Sequence, residues 1–464
     1  MLAAVLRARV LVVCILFFLL AGVTVGGAQV VVTTWHYDNA RSGANSSETT
    51  LTPQNVNSKE FGKLFTQPVD GAVIGQALYL PGVTIPNAGV HNVVYVATMH
   101  DSVYAFDADT ATGKNAHPLW HRSFLKDGTT PVPIALQKCG GVTLWTEVGI
   151  VSTPVIDPVA GTLYIVAKTY ENSASVHRLH ALDVATGREK TGSPIVITAS
   201  YEFAGQNNIF QDAMQVNRPA LLLENGYLYI AFGSNGCRND KEQGWVVAYD
   251  ASTLQPAGAF DVEPGESAAA IWQRGGGLSS DSEGYVYAAT ADGPFMAGTN
   301  FGQSVIKLSQ SGSTLKLADW FTPFNEAYLD QWDLDMSEPV LVLPDQAGRH
   351  PHEAVAVGKR HDLHFEPRQN GALLRYVHRD GHADRARVDG LRSRARSAGL
   401  LEQRNLYFRH RRADRTPDAK QREIGDAAVR TIEERRLRTF ASDLRKWNYL
   451  GRSVAAYRRI SVCV

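Results

Sequence analysis

The 464-residue sequence predicts an all-β fold, and three observations carry that expectation. Apolar runs rich in Val, Ile, Leu and Tyr alternate with short polar turns. Gly and Asp concentrate in those turns, where Asp accepts backbone N–H bonds and Gly takes positive φ at no steric cost. The strands alternate without the 3.6-residue apolar period of an amphipathic helix. Forty Gly and 17 Tyr fit a turn-rich globular protein rather than a disordered or fibrous one.

The N-terminus reads MLAAVLRARVLVVCILFFLLAGVTVGGAQ. Arg7 and Arg9 precede an apolar run from Val10 to Ala21, and small residues end at Ala28, the pattern of a secretory signal peptide spanning 1–28. The run is short for a bilayer span and no stop-transfer charges follow, so the mature chain is expected to be secreted or periplasmic, with no membrane attachment. Cys14 leaves with the peptide. Export would permit a disulfide between Cys139 and Cys237, both in loop-like contexts (QKCGG and SNGCRND).

After the signal one unit recurs around Tyr95, Tyr164, Tyr229 and Tyr287, at intervals of 69, 65 and 58 residues. Each copy is a β-branched or aromatic strand, a polar turn, and a second strand that in three copies ends in Asp (Asp107, Asp183, Asp250); two copies continue to a Thr-Gly turn at Gly113 and Gly187. Another apolar run sits ahead of each: VIGQALYLPGV, VGIVSTPVIDP, NRPALLLENG and IWQRGGGLSSDSEG. Three to four strands per repeat at this period describe blades of a β-propeller, roughly seven or eight if blades filled the chain, about five of them readable.

The segments TGK and TGR after A(F/L)DxxT resemble the repeats of pyrroloquinoline-quinone (PQQ) propellers in the quinoprotein alcohol-dehydrogenase-like superfamily. YDNARSGANSSETTLTPQNVN, FGKLFTQPVDGAV, EVGIVSTPVIDP and GWVVAYD are similar to a secreted bacterial branch of it. The likeness covers roughly residues 34 to 359, and it implies a propeller over 29–359. Enzymes of that superfamily hold PQQ with Ca²⁺ between a Trp and a disulfide of adjacent cysteines. This sequence has no Cys-Cys pair, and its residues do not match the calcium ligands one by one.

The composition changes at Lys359. Residues 360–464 hold 25 Lys+Arg against 13 Asp+Glu, which leaves 46 − 25 = 21 against 46 − 13 = 33 for residues 1–359; +12 and −12 cancel to the net zero of the whole. In such propellers HPHEAVAVGK leads into a strand and turn of the type DGTxYxLNRDxMG, whereas this chain gives RHDLHFEPRQNGAL. Reading the codons one nucleotide later permits Gly-Thr-Thr-Tyr-Thr-Leu-Asn-Arg-Asp-Lys-Met-Gly-His from Arg360 onward. The same shift from Leu401 and from Arg438 also restores strand-like alternation with Asn/Gly turns. The tail 360–464 is therefore expected to be out of frame, and irregular or partly helical. Read as functional, the tail would instead bind polyanions through RNLYFRHRRADR, but a signal peptide argues against nucleic acid and no motif spacing accompanies the charges. His361, His364, His378 and His382 lack a Cys or carboxylate frame, so no metal is expected there.

Ligands of propellers sit at the central channel, on the inner strands and the loops entering them. Those loops hold Gln76, Glu147, Ser152, Thr153, Asn217, Arg218, Trp272, Gln273 and the run Asp333 to Ser337. Glu147 and Arg218 could pair with a polar ligand and Trp272 could stack on a flat one; equally, all could cap turns and fill the channel. Gly275 to Gly277 reads as close strand packing or a tight turn, since no helix follows to make a phosphate cradle. The sequence carries no nucleophile elbow, HExxH or P-loop. The function expected is an exported binding or scaffold module taking a small-molecule or protein ligand at the channel, the alternative being a periplasmic PQQ-dependent alcohol or sugar dehydrogenase.

Overall fold

The computed structural model describes residues 30–136, 146–234, 243–265, 268–332 and 334–344, with the backbone of the strands Ala354–Val357, Asp362–Phe365 and Arg459–Cys463. The chain divides into two compact units, Met1–Arg379 with Tyr457–Val464, and Asp380–Ala456. All described residues belong to the first unit. The signal-like segment 1–28, Cys139 and Cys237 lie outside the described residues.

Each repeat is one antiparallel sheet. The first blade orders Leu78–Ile85, Gly89–Thr98, Ser102–Asp107 and Trp120–Ser123. The second orders Val155–Asp157, Thr162–Glu171, Ala174–Asp183 and Ile195–Val196, the third Leu222–Glu224, Tyr227–Ser234, Trp245–Asp250 and Pro256–Asp261, and the fourth Ser279–Ser280, Val286–Ala289, Val305–Ser311 and Thr314–Phe321. A fifth sheet joins Leu341–Val342 to Ala354–Val357 and Asp362–Phe365. The early strand Lys63–Pro68 pairs with Arg459–Cys463, the kind of pairing of chain ends that closes a propeller. Two short pieces of the Arg-rich tail are therefore strands; the rest of the tail lies outside the described residues.

The period-2 alternation sorts each blade's side chains between its two neighbours. In the strand Thr162–Glu171, Leu163, Ile165 and Ala167 pack with Leu78, Val93 and Tyr95 of the first blade. Tyr164 and Val166, on the other face, pack with Leu228, Ile230 and Phe232 of the third. The same division puts Leu222 and Tyr229 against Val286 and Ile306, and Tyr287 and Val305 against Met336 and Val340. Both faces are covered, which is why these strands read as nearly continuous apolar runs rather than as half-polar ones.

The two ends of the blades differ. At one, here the turn end, lie the hairpins that join the first strand to the second and the third to the fourth in each blade, including the Asp-headed turns. Asp107 accepts from the N–H of Asp109 and Thr110, Asp157 from Val159 and Ala160, and Asp250 from Ser252 and Thr253, all at 2.8–3.0 Å. Gly187 has φ +65, and a Cβ there would lie 2.5 Å from the Trp120 ring, so two separate constraints select glycine. The repeated tyrosines clasp neighbouring blades at this end: Tyr95 Oη donates to the Val184 carbonyl at 3.0 Å and Tyr164 Oη to that of Ala251 at 2.8 Å. At the other, the loop end, lie the hairpins between the second and third strands, such as residues 99–101, and here the chain crosses from each blade to the next.

Candidate functional site

The segment Val32 to Arg41 runs through the middle of the inner strands. Val32 bridges Tyr79 of the first blade, the Thr33 carbonyl accepts from Ile156 of the second, Asn39 accepts from Ser280 of the fourth, and Ala40 from Val342 of the fifth. Arg41 is 3% exposed and holds no carboxylate. Its guanidinium donates to the carbonyls of Leu278 (2.8 Å), Leu221 (3.2 Å) and Trp35 (2.9 Å) and to Thr34 Oγ1 (2.6 Å). Burial pulls its pKa down to about 9, so it remains charged at neutral pH. Gly277 is required beside it, because a Cβ there would meet Arg41 Nη2 at 2.8 Å and the Ala220 carbonyl at 2.7 Å.

This segment turns at Trp35-His36-Tyr37-Asp38. His36 (φ 58), Tyr37 (φ 70) and Arg41 (φ 63) all take the left-handed region, uncommon for residues with a side chain. Trp35 and His36 stack with ring centroids 3.4 Å apart. The His36 N–H donates to Gln76 Oε1 at 3.2 Å, and the Gln76 N–H to Thr153 Oγ1 at 2.8 Å, which fixes the turn at the loop end. Gly75 allows that approach, since a Cβ would sit 2.6 Å from the Ser152 carbonyl.

The same loop end also holds buried polar side chains. Asp101 is fully buried and neither carboxyl oxygen makes a hydrogen bond of normal geometry. Burial pushes its carboxyl well above the usual range, with Glu147 and Asp70 adding to the rise and the Lys168 N–H opposing it. Gly149 lies against it, where a Cβ would overlap the Met99 carbonyl at 2.4 Å. Lys168, 2% exposed, reaches the Gln215 carbonyl at 2.6 Å, and burial lowers its pKa to about 8. Ser152 Oγ, Gln215 Oε1, Asn217 Oδ1 and both side-chain polar atoms of Gln273 are buried with no hydrogen-bond partner among the described residues. Asn217 is oriented by its amide, which donates to the Ala231 carbonyl at 2.8 Å, so Oδ1 is the atom left over. Asp261, at the same end, is pushed up to about 7 by burial.

All three residues singled out from the sequence as ligand-binding candidates sit at the loop end. Glu147 is part-exposed and lies 3.1 Å from His100 Nδ1. Trp272 is half-buried, packs on Gly233 and donates to Asp292 Oδ2 at 3.3 Å. Arg218 is half-buried, and its backbone N–H bonds Val216. No hydrogen bond or ion pair among the described residues links the three to one another. Asp335 and Ser337 are buried, Gln303 Nε2 donating to Asp335 at 3.4 Å; Asp333 lies outside the described residues. Sequence reasoning missed Asp101, Lys168, Gln215 and the Trp35 turn. Asp101 and Lys168 look in sequence like ordinary turn and strand polars, and burial is the only feature that sets them apart.

The described residues do not fit the PQQ and calcium pair implied by the resemblance. Among them no three His, Cys, Asp or Glu side chains gather as ligands for a metal. Glu147 is engaged by His100, and at Asp101 burial disfavours the charged carboxylate that would hold a cation. No step is therefore derived through that group.

No family model and no curated protein matches the sequence. Among solved structures the chain is similar to the quinohemoprotein alcohol dehydrogenase ADHIIG from Pseudomonas putida HK5, at 16% identity and a TM-score of 0.52, over 75% of this chain and 48% of that one. A europium-containing methanol dehydrogenase matches at 14% identity and a TM-score of 0.47, over 75% of this chain and 58% of that one. The chain thus spans about half the length of the first of these. At such identity the first likeness establishes fold alone, and the fold is an all-β propeller.

Proposed function

We propose that the protein is an exported propeller that binds a small polar molecule at its loop end, over the Trp35–Asp38 turn. One observation carries the reading. Buried polar atoms are nearly always paired, yet Asp101, Ser152, Gln215, Asn217 and Gln273 leave partners unmade at one end of one fold. Unmade acceptors in a low-dielectric place cost stability, and chains keep such groups where a ligand or ordered water completes them. Most of the unpaired atoms are oxygens, so the ligand favoured is rich in O–H or N–H donors. Glu147, Arg218 and Trp272 stand on the same loops, placed to contact its outer part.

The test is a thermal-shift titration of the protein against polar metabolites, followed by calorimetry on those that raise the melting temperature. Asp101→Asn and Gln273→Leu are expected to weaken binding at least roughly tenfold, the scale of one lost buried hydrogen bond. Binding unaffected by both would overturn the reading. PQQ with Ca²⁺ belongs in the same panel, and dye reduction on adding an alcohol or sugar would replace a binding module by a dehydrogenase.

Residues 360–464 are proposed to be translated out of frame. The support is compositional: 23 of 33 arginines fall there with only Lys420 and Lys446, and three stretches regain strand periodicity in one alternative frame. The nucleotide sequence around codon 359 decides it, since one base inserted or removed should restore blade-like sequence.

A further inference from the structure

We propose that residues 198–214 form a strap between the second and third blades that acid releases through His177. The strap leaves the outer strand Ile195–Val196 of the second blade and ends where the chain approaches the inner strand of the third. Its hairpin, Ser200–Phe203 paired with Gln206–Ile209, is largely exposed. Phe210 anchors it, packing edge-on against Phe232 and Trp245 with ring centroids 4.8 and 5.9 Å away, and Tyr201 meets Phe260 at 5.5 Å. The Tyr249 hydroxyl donates to the Thr198 carbonyl at 3.2 Å. The remaining anchor is polar. Asp212, in the short turn Asp212–Met214, accepts from Ser175 Oγ at 2.8 Å, from the His177 backbone N–H at 2.6 Å and from His177 Nδ1 at 2.8 Å.

His177 is the sensitive member of this latch. Its side chain is 1% exposed, with Phe210 and Phe232 edge-on to the ring. The Asp212 carboxylate assigns the ring proton to Nδ1, which leaves Nε2 a buried acceptor with no partner among the described residues. A second proton would sit on Nε2 and face no acceptor among those residues. Two charges act on the ring: Asp212 on the strap, and Lys168, directly opposite on the neighbouring strand Thr162–Glu171. The third blade contributes Phe232, which carries none. Burial outweighs the attraction of Asp212, and Lys168 adds to the repulsion, so the closed strap holds the His177 pKa below 6.5. When the strap lifts, water reaches the ring and its affinity for a proton returns to that of an ordinary histidine. The proton therefore binds the open form more tightly, and acidification below pH 6.5 favours opening. Gln215 follows Met214 directly and Asn217 lies two residues on, so lifting also slackens the loop end. Only that consequence rests on the small-ligand reading; the release does not, and it is tested without a ligand.

The test is amide hydrogen exchange of the whole protein at pH 7.5 and pH 5, corrected for the intrinsic exchange rate. Protection of residues 200–209 should fall at least about tenfold at the lower pH, the factor that one pKa unit of difference supplies. The core strand Tyr227–Ser234 should keep its protection. In His177→Asn, neutral at both pH values, the protection of the strap should not change with pH. Should that variant fail to fold, Asp212→Asn removes the same latch from its outer side, and at pH 7.5 it should show the low protection of the wild type at pH 5. The inference falls if the wild-type strap is equally protected at both pH values, or if the fall persists in His177→Asn. It falls also if Asp212→Asn leaves protection at pH 7.5 intact, or if Tyr227–Ser234 loses protection in step with the strap.

Discussion

At the turn end of the blades, Asp107, Asp157 and Asp250 each accept two backbone N–H groups, and Tyr95 and Tyr164 donate to carbonyls of the next blade. At the loop end, Asp101, Gln215, Asn217 and Gln273 are more deeply buried than Asp157 and Asp250, and among the described residues they stay incomplete. The half-buried turn aspartates Asp157 and Asp250 find partners while the more deeply buried loop-end groups do not. The same strands supply both ends, so residue type alone does not explain the contrast. It separates polar groups that complete the fold from polar groups that the fold leaves open. Mutations should therefore act in opposite senses at the two ends, with stability lost at one and function lost at the other.

The largest effect is expected at the axis that joins them. Arg41→Leu removes the donor from three buried acceptors and the part-buried Trp35 carbonyl and should cost about 3 kcal/mol or more, read as a fall in the urea midpoint. Gly187→Ala at the turn end should cost about 2–3 kcal/mol, because the new methyl meets both positive φ and the Trp120 ring. Ligand binding by that variant should be unchanged, and a parallel loss of binding would break the division between the ends. Asp250→Ala should cost about 1 kcal/mol through its turn bonds, again sparing binding.

The pH dependence of stability sharpens the contrast. Asp261, raised from 3.8 to about 7, keeps its proton in the folded chain where the unfolded chain has lost it. Its contribution is full below pH 3.8 and disappears as pH rises through 7, and the raised Asp101 acts in the same sense. His177 works the other way. Burial holds its pKa below 6.5, so stability falls as pH drops through 6.5 and the unfolded chain takes up the proton. Asp261→Asn should flatten the decline between pH 4 and 7 in a series of urea midpoints. At the small end, Val159→Ser at a fully exposed turn position should change stability by less than about 0.5 kcal/mol.

Much of the fold was legible because the strand period and the Asp and Thr-Gly turns are local signals. The four units around Tyr95, Tyr164, Tyr229 and Tyr287 are four blades; of the glycine run, Gly276 and Gly277 mark close packing, Gly276 against Pro339, while Gly275 takes a positive φ in a turn with open space around it. The axial course of Val32 to Arg41 was not legible, since its bonds reach Leu221 and Leu278, about two hundred residues away, and no local pattern encodes them. The candidate site was legible only in part. The loops carrying Glu147, Arg218 and Trp272 could be identified as entries to inner strands, but that Asp101 and Gln273 lack partners depends on packing from several blades. Whether Cys139 meets Cys237 lies outside the described residues.

The most direct test compares the melting temperatures of the unliganded wild type and Asp101→Asn at pH 7.5. If the loop end is held open for a ligand, replacing a buried unpaired carboxyl by its neutral isostere leaves the melting temperature unchanged or raises it. A fall of several degrees would mean that Asp101 completes the fold as the turn-end aspartates do, and the distinction between the two ends would be lost.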